Sequence, residues 1–369
     1  MNTLKTILIA VILLNLIPLQ AQSSSNKIEL SSSYIINEFR QLYQQNKSFR
    51  ATIDDSFDHI KKNKLKENYW FNKTPDDLFK FVEDWYYFLP LVDDGLTYIR
   101  RFEQFYKNNP EGLKILYEEP GKSWLQNFAI ARGKYMDSKA STKKLNKWLK
   151  DSLIQINDYQ VPEKGFQSFN EFFTRELKFG ARRIDSPSDN SIFVSPADCE
   201  LAAINYNIQP DTKINTKGSE YLEVNKILNN SKYAEKFKEG TVITLILVPT
   251  SYHHFHSPIS GKMVESDENL PGAFYDRSKT GTYHRGYYII DTEKFGHIAM
   301  VPIGLATINS INFEDKFKNV EDIKPVRVQK GEKLGHFAYG GSKILIFMEK
   351  EHMTELSFLQ GQRIGRMKN

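Results

Sequence analysis

Between residues 33 and 152 the apolar side chains recur at helical spacing. Ile35, Phe39, Leu42 and Tyr43 form one stripe, and Leu78, Phe81, Val82, Trp85 and Leu89 form another. The second stripe has a marked start and stop. Thr74-Pro75-Asp76-Asp77 offers a capping hydroxyl, a proline at the first helical position and acids in the first turn, and Pro90 closes the segment. Such aromatic stripes predict helix core; lining a groove for an aromatic or lipid ligand is the alternative. After Pro162 the pattern shortens. Residues 169–177 read as a short helix, but beyond Ile184 brief β-rich runs alternate with turn residues. Residues 242–248 read as a buried strand, and 286–290 with 297–301 flank Lys294-Phe295-Gly296 as a hairpin. Val326-Arg327-Val328 and 344–347 continue the series, with one short helix expected around 222–228. The pattern predicts an α+β chain. A helical N-terminal domain over 33–160 is followed over 165–369 by an antiparallel β-sandwich or barrel-like domain.

Composition narrows the function classes. The 369 residues are 40% apolar and 13% aromatic, enough for real cores. A net charge of +5, with lysines scattered among acids, gives a mixed surface rather than a nucleic-acid footprint. No zinc-finger spacing, Walker loop or dinucleotide fingerprint is present. Lys5 precedes the apolar run Ile7-Leu8-Ile9-Ala10-Val11-Ile12-Leu13-Leu14, and Ala21 offers a small residue for cleavage. Residues 1–21 therefore read as a signal peptide and the protein as exported. Cys199 is the single cysteine, so no intramolecular disulfide forms.

Candidate chemistry sits at three separated places. Tyr339-Gly340-Gly341-Ser342-Lys343 is a tight turn entering a strand, and its two glycines leave the carbonyl before Ser342 sterically open. Tyr252-His253-His254-Phe255-His256-Ser257-Pro258 carries three of the eight histidines. Three readings of that block stand side by side: metal ligation by His254 and His256, a structural cap before Pro258, or a general base for a distant nucleophile. No distant cluster completes a metal site, and no metal is expected. Ser195-Pro196-Ala197-Asp198 ends a short strand; Asp198 reads as turn chemistry or as the carboxylate that orients an imidazole. An ordinary serine hydrolase is not supported, because Ile344 stands where the last glycine of a GxSxG elbow belongs.

These blocks, with Phe172-Phe173-Thr174-Arg175-Glu176-Leu177-Lys178 and Lys330-Gly331-Glu332-Lys333-Leu334-Gly335, resemble in order the signatures of phosphatidylserine decarboxylases. The resemblance covers residues 165–349, and the helical half resembles the extension of a branch that includes decarboxylases acting on tryptophan. It implies a proenzyme that makes its own cofactor. Ser342 would attack the carbonyl of Gly341, with His256 as base and Asp198 orienting that imidazole. Cleavage between 341 and 342 would leave a covalent pyruvoyl group in place of Ser342, at the head of fragment 342–369. That keto group would condense with a substrate amine and draw electrons from the breaking bond to the carboxylate. His253 would assist the decarboxylation. Two positions depart from the family pattern: Lys343 stands for the usual threonine, a cation beside the future cofactor, and Cys199 stands for the usual glycine.

The leading expectation is conversion of phosphatidylserine to phosphatidylethanolamine by paired chains 22–341 and 342–369. Peripheral membrane contact would go with it, although no basic amphipathic helix or polybasic tract marks a docking surface. The alternative is decarboxylation of a free aromatic amino acid such as tryptophan; a second is a secreted binding module that never cleaves. Oligomeric state is left open.

Overall fold

The computed structural model describes residues 32–92, 94–95, 97–217, 220–270, 284–304, 311–338, 342–356 and 360. The signal-peptide segment 1–21 and Gly341 lie outside the described residues. Nine α-helices occur among those described: α1 (Ser32–Gln45), α2 (Lys47–Lys62), α3 (Pro75–Tyr87), α4 (Thr97–Tyr106), α5 (Pro110–Tyr117), α6 (Gly121–Met136), α7 (Leu145–Leu149), α8 (Phe169–Phe173) and α9 (Val224–Ile227). The strands are β1 (Glu200–Tyr206), β2 (Lys213–Lys217), β3 (Glu220–Glu223), β4 (Thr241–Leu247), β5 (His254–His256), β6 (Gly261–Leu270), β7 (Arg285–Asp291), β8 (His297–Ile303), β9 (Ile311–Phe313), β10 (Val326–Val328), β11 (Lys333–Phe337) and β12 (Ser342–Met348).

The helical half forms as its spacing predicts. Thr74 and Asp77 make a full capping box at the start of α3, satisfying two orphan backbone donors reciprocally. The aromatic stripes are core, not the wall of a groove. Phe39, Trp70, Phe81, Trp85, Phe105 and Trp124 all sit in one buried cluster. The indole N–H groups of Trp70 and Trp124 bond to the carbonyls of Arg101 and Ile35, so these rings are buried without an unpaired donor.

The second half is built from antiparallel sheets. Seven strands run in the order β1-β4-β12-β8-β7-β6-β10, and a smaller sheet runs β5-β11-β9. β12 lies between β4 and β8, and all seven of its residues are buried. A strand covered on both faces needs apolar residues throughout, which is why 344–347 carry no polar alternation. One face of the large sheet packs on the small sheet through Ile344, Ile346, Met348, Phe255, Leu334 and Phe337. The other face, with Leu345 and Phe347, packs under α9 and the β2–β3 hairpin through Ile214, Leu222 and Ile227. A further cluster of Leu89, Met136, Trp148, Phe169, Phe172 and Phe173 packs α6, α7 and α8 together, with Ala338, just past β11, against it. The expected helix over 169–177 stops at Phe173. From Arg175 the chain is extended, and Leu177 bridges Tyr159.

Candidate active site

β5 places the histidine block. It pairs with β11, His254 opposite His336 and His256 opposite Lys333. Each of the three imidazoles donates one N–H to a main-chain carbonyl. His253 Nδ1 bonds Ser251 at 2.8 Å, His254 Nε2 bonds Thr174 at 2.8 Å, and His256 Nδ1 bonds Gly331 at 2.8 Å. Those bonds fix the tautomers and leave the opposite nitrogen of each ring as an acceptor. On His256 that acceptor takes the Tyr252 hydroxyl at 3.1 Å. On His253 and His254 it is buried without a partner among the described residues.

Burial holds all three rings neutral. It pushes His253 down to about 3, helped by the nearby Arg175 guanidinium, and His254 down to about 4. His256 is lowered by burial and by Lys333, while the Gly331 bond and the charges of Glu176 and Asp198 oppose the shift. An imidazole held neutral with a free nitrogen can accept a proton, as a general base must.

Arg175 is the buried scaffold behind His253. Its guanidinium lies 4.1 Å from the Tyr159 ring centre and donates to the carbonyls of Thr250 at 2.8 Å and Ser251 at 3.3 Å. The Ser251 carbonyl therefore receives both Arg175 and His253. Phe173 covers the imidazole, with ring centres 3.8 Å apart. The resemblance puts Arg175 in the block Phe172–Lys178 without assigning it a role, and its polar neighbours Thr174 and Glu176 give no sign in the sequence that it is buried.

Asp198 and His256 line one cavity of about 530 Å³, with Arg182, Tyr252 and Gly331. Their relation differs from the expected direct bond. The Asp198 carboxylate takes Arg182 in a two-point fork at 2.8 and 3.0 Å, and makes no hydrogen bond to His256 among the described residues. Gly331 and Tyr252 orient the imidazole instead. Gly331 is at φ +79°, the left-handed region, and an added Cβ would come within 2.6 Å of the Ile184 side chain.

Ser342 opens β12 opposite Leu247, the last residue of β4, from which the chain turns through 248–252 into His253. The preceding strand is tied to the same place: the Phe337 N–H bonds the His253 carbonyl at 2.8 Å. Alternation along β12 puts Ser342 on the face of Ile344 and Ile346, toward the small sheet that carries the histidines. Its Oγ is buried and has no hydrogen-bond partner among the described residues. Tyr339, Gly340 and Gly341 lie outside the described residues.

Lys343 faces the other way. Its ammonium reaches Asn215 of β2, at 2.7 Å to Oδ1 and 3.3 Å to the carbonyl, under the hairpin on the back of the sheet. The cation expected beside Ser342 is thus separated from it by the sheet. Burial lowers Lys343 to about 8. Cys199 is also quiet: burial raises its thiol, which contacts Ser195 Oγ at 3.3 Å.

Comparison with known proteins agrees in span. The sequence profile of the family described as phosphatidylserine decarboxylase matches residues 169–366. A phosphatidylserine decarboxylase proenzyme of Fusobacterium nucleatum subsp. nucleatum is 31% identical over 288 residues, covering 72% of this chain and 91% of that protein. One of Clostridium novyi is 31% identical over 283 residues, covering 69% and 92%. Phosphatidylserine decarboxylase proenzyme 2 of Oryza sativa subsp. japonica is 32% identical over 242 residues, covering 62% of this chain and 37% of its own length.

Proposed function

The chain belongs to the phosphatidylserine decarboxylase family of carboxy-lyases, and from that premise we propose a self-processing, pyruvoyl-dependent decarboxylase acting on phosphatidylserine. The observation that carries the reading is Ser342: a buried hydroxyl with no partner among the described residues, at the first position of a central strand, after two glycines in the sequence. A buried polar atom left unpaired is uncommon in a folded protein and calls for an explanation, which a nucleophile held for reaction supplies.

The residues fit a cofactor made in place. Ser342 Oγ attacks the Gly341 carbonyl, and His256 accepts the proton at Nε2 once the Tyr252 hydroxyl gives way. Asp198 acts on that imidazole by its charge across the shared cavity, favouring the protonated form without touching it. The pyruvoyl group formed from Ser342 supplies an electron sink for loss of carbon dioxide. His253 keeps Nε2 buried and without a partner among the described residues, its ring covered by Phe173, where it can hold and return a proton.

The small fragment stays bound after the cut. Ile344, Leu345, Ile346, Phe347 and Met348 are all buried between the two core layers. At about 1.5–3 kcal/mol each they contribute roughly 8–15 kcal/mol, in addition to the ladders with β4 and β8.

The helical domain offers little support for an aromatic amino-acid substrate, since its stripes are consumed by its own core. Carbon dioxide release separates the substrates. Phosphatidylserine vesicles should react while free serine and tryptophan do not; release from the amino acids alone would overturn the lipid reading.

A further inference from the structure

The segment Leu177-Lys178-Phe179-Gly180-Ala181-Arg182-Arg183-Ile184 turns back on itself at the surface. The Ala181 N–H closes the turn on the Lys178 carbonyl at 3.1 Å, and Gly180 takes its third position at φ +78°, where this kind of turn needs a residue without a Cβ. Phe179 and Gly180 are the tip. The Phe179 ring is fully exposed. Among the described residues, no atom beyond the chain neighbours comes within 4 Å of the place a Gly180 Cβ would take.

One exposed apolar side chain is ordinary on a protein surface. The surroundings of this one are not. The arms of the turn, Leu177 on one side and Arg182, Arg183 and Ile184 on the other, line the cavity that holds His256 and Asp198. The ring therefore stands at the rim of that cavity. Cations flank it. Lys178 comes just before the ring and Arg183 just after the turn, both exposed and without an ion pair among the described residues. The nearby carboxylates are engaged elsewhere: Arg182 takes Asp158 and Asp198, and the Ser186 hydroxyl bonds Asp185. Ile184, 38% exposed on the far arm, adds a second apolar side chain.

We propose that the turn at Phe179 docks the protein on an anionic bilayer, with the cavity of His256 and Asp198 held at the lipid surface. The ring enters the interface, and Lys178 and Arg183 meet the lipid phosphates. The lipid partner follows from the phosphatidylserine reading above. Contact of this kind comes from one turn, so it leaves neither an amphipathic helix nor a polybasic tract in the sequence.

Co-sedimentation with phosphatidylglycerol vesicles tests docking without calling on catalysis. The parent should bind them, and more tightly than phosphatidylcholine vesicles. Phe179→Ser should weaken binding about tenfold. Lys178→Gln combined with Arg183→Gln should weaken it roughly tenfold or more at low salt, a loss that shrinks at high salt. Phe179→Ser should still cleave like the parent by mass and release carbon dioxide from a monomeric short-chain phosphatidylserine at the parental rate, while release from vesicles slows about tenfold. A parent that ignores anionic vesicles, equal binding to neutral ones, or variants that bind like the parent would overturn the proposal. A dimer that Phe179→Ser converts to monomer would also overturn it, assigning the ring to a second copy. Vesicle binding that follows the variants while neither form of phosphatidylserine reacts supports the docking surface and contradicts the substrate reading alone.

Discussion

Ser342 and Lys343 are consecutive on β12 and stand on opposite faces of the seven-stranded sheet. Ser342 faces the core shared with the histidine-bearing sheet, and Lys343 reaches Asn215 of the β2–β3 hairpin at 2.7 Å. The substitution that most separates this chain from its family's pattern therefore acts on the scaffold. Lys343→Thr should leave the cleavage rate within about threefold, because the change lies across the sheet from the reacting atoms. A pulse-chase of the uncleaved chain checks this, and a tenfold change in rate would contradict it.

The same lysine gives a pH signature in stability. Burial lowers its folded value to about 8 from 10.5, so between those values the folded protein binds fewer protons than the unfolded chain. Stability should rise with pH across that window. Below about 8 both states are protonated and the cost of burying the charge is fully present; above 10.5 both are neutral. The thermal midpoint of the parent, relative to Lys343→Met, should climb between pH 8 and 10. Parallel curves for the two proteins would refute the buried ammonium.

His256 predicts a second pH effect. Its value lies below the ordinary 6.5, and the Asp198 charge is one of the influences holding it up. Cleavage by the neutral imidazole should lose rate on acidification only below 6.5. Asp198→Asn should move that limb further down and slow cleavage by roughly 10-fold to 100-fold, the scale of a perturbed general base. An acidic limb that stays put in Asp198→Asn would show that the carboxylate does not act on the imidazole.

Gly331→Ala should be costly in stability and in cleavage alike. The left-handed conformation costs an alanine roughly 1–2 kcal/mol, and the new methyl meets Ile184. Because the Gly331 carbonyl fixes the His256 tautomer at 2.8 Å, cleavage should slow more than the stability loss accounts for. Denaturant titration beside a cleavage time course measures both.

Much of this was legible in the residues. The capping residues at Thr74 and the strand at 344–347 follow from period and turn chemistry, while the ordered set of three chemical blocks follows from the family resemblance. Lys343's direction was legible too, since neighbours on a strand point to opposite faces, although proximity in sequence suggests proximity to the reacting centre. Other features were not readable in that way. Arg182 takes Asp198 in a fork, and Arg175 leaves the helix after Phe173 to hold Thr250 and Ser251. Both are long-range pairings with no periodic signal, and they decide which groups orient the histidines.

The central claim is that Ser342 cuts its own chain and becomes the cofactor. Intact mass of the purified protein tests it directly, with Ser342→Ala as control. The account predicts two fragments, one ending at Gly341 and one of residues 342–369 whose blocked first residue reacts with carbonyl reagents, and an uncut chain in Ser342→Ala. A native chain that remains whole, or a Ser342→Ala chain that still divides at 341, would contradict it.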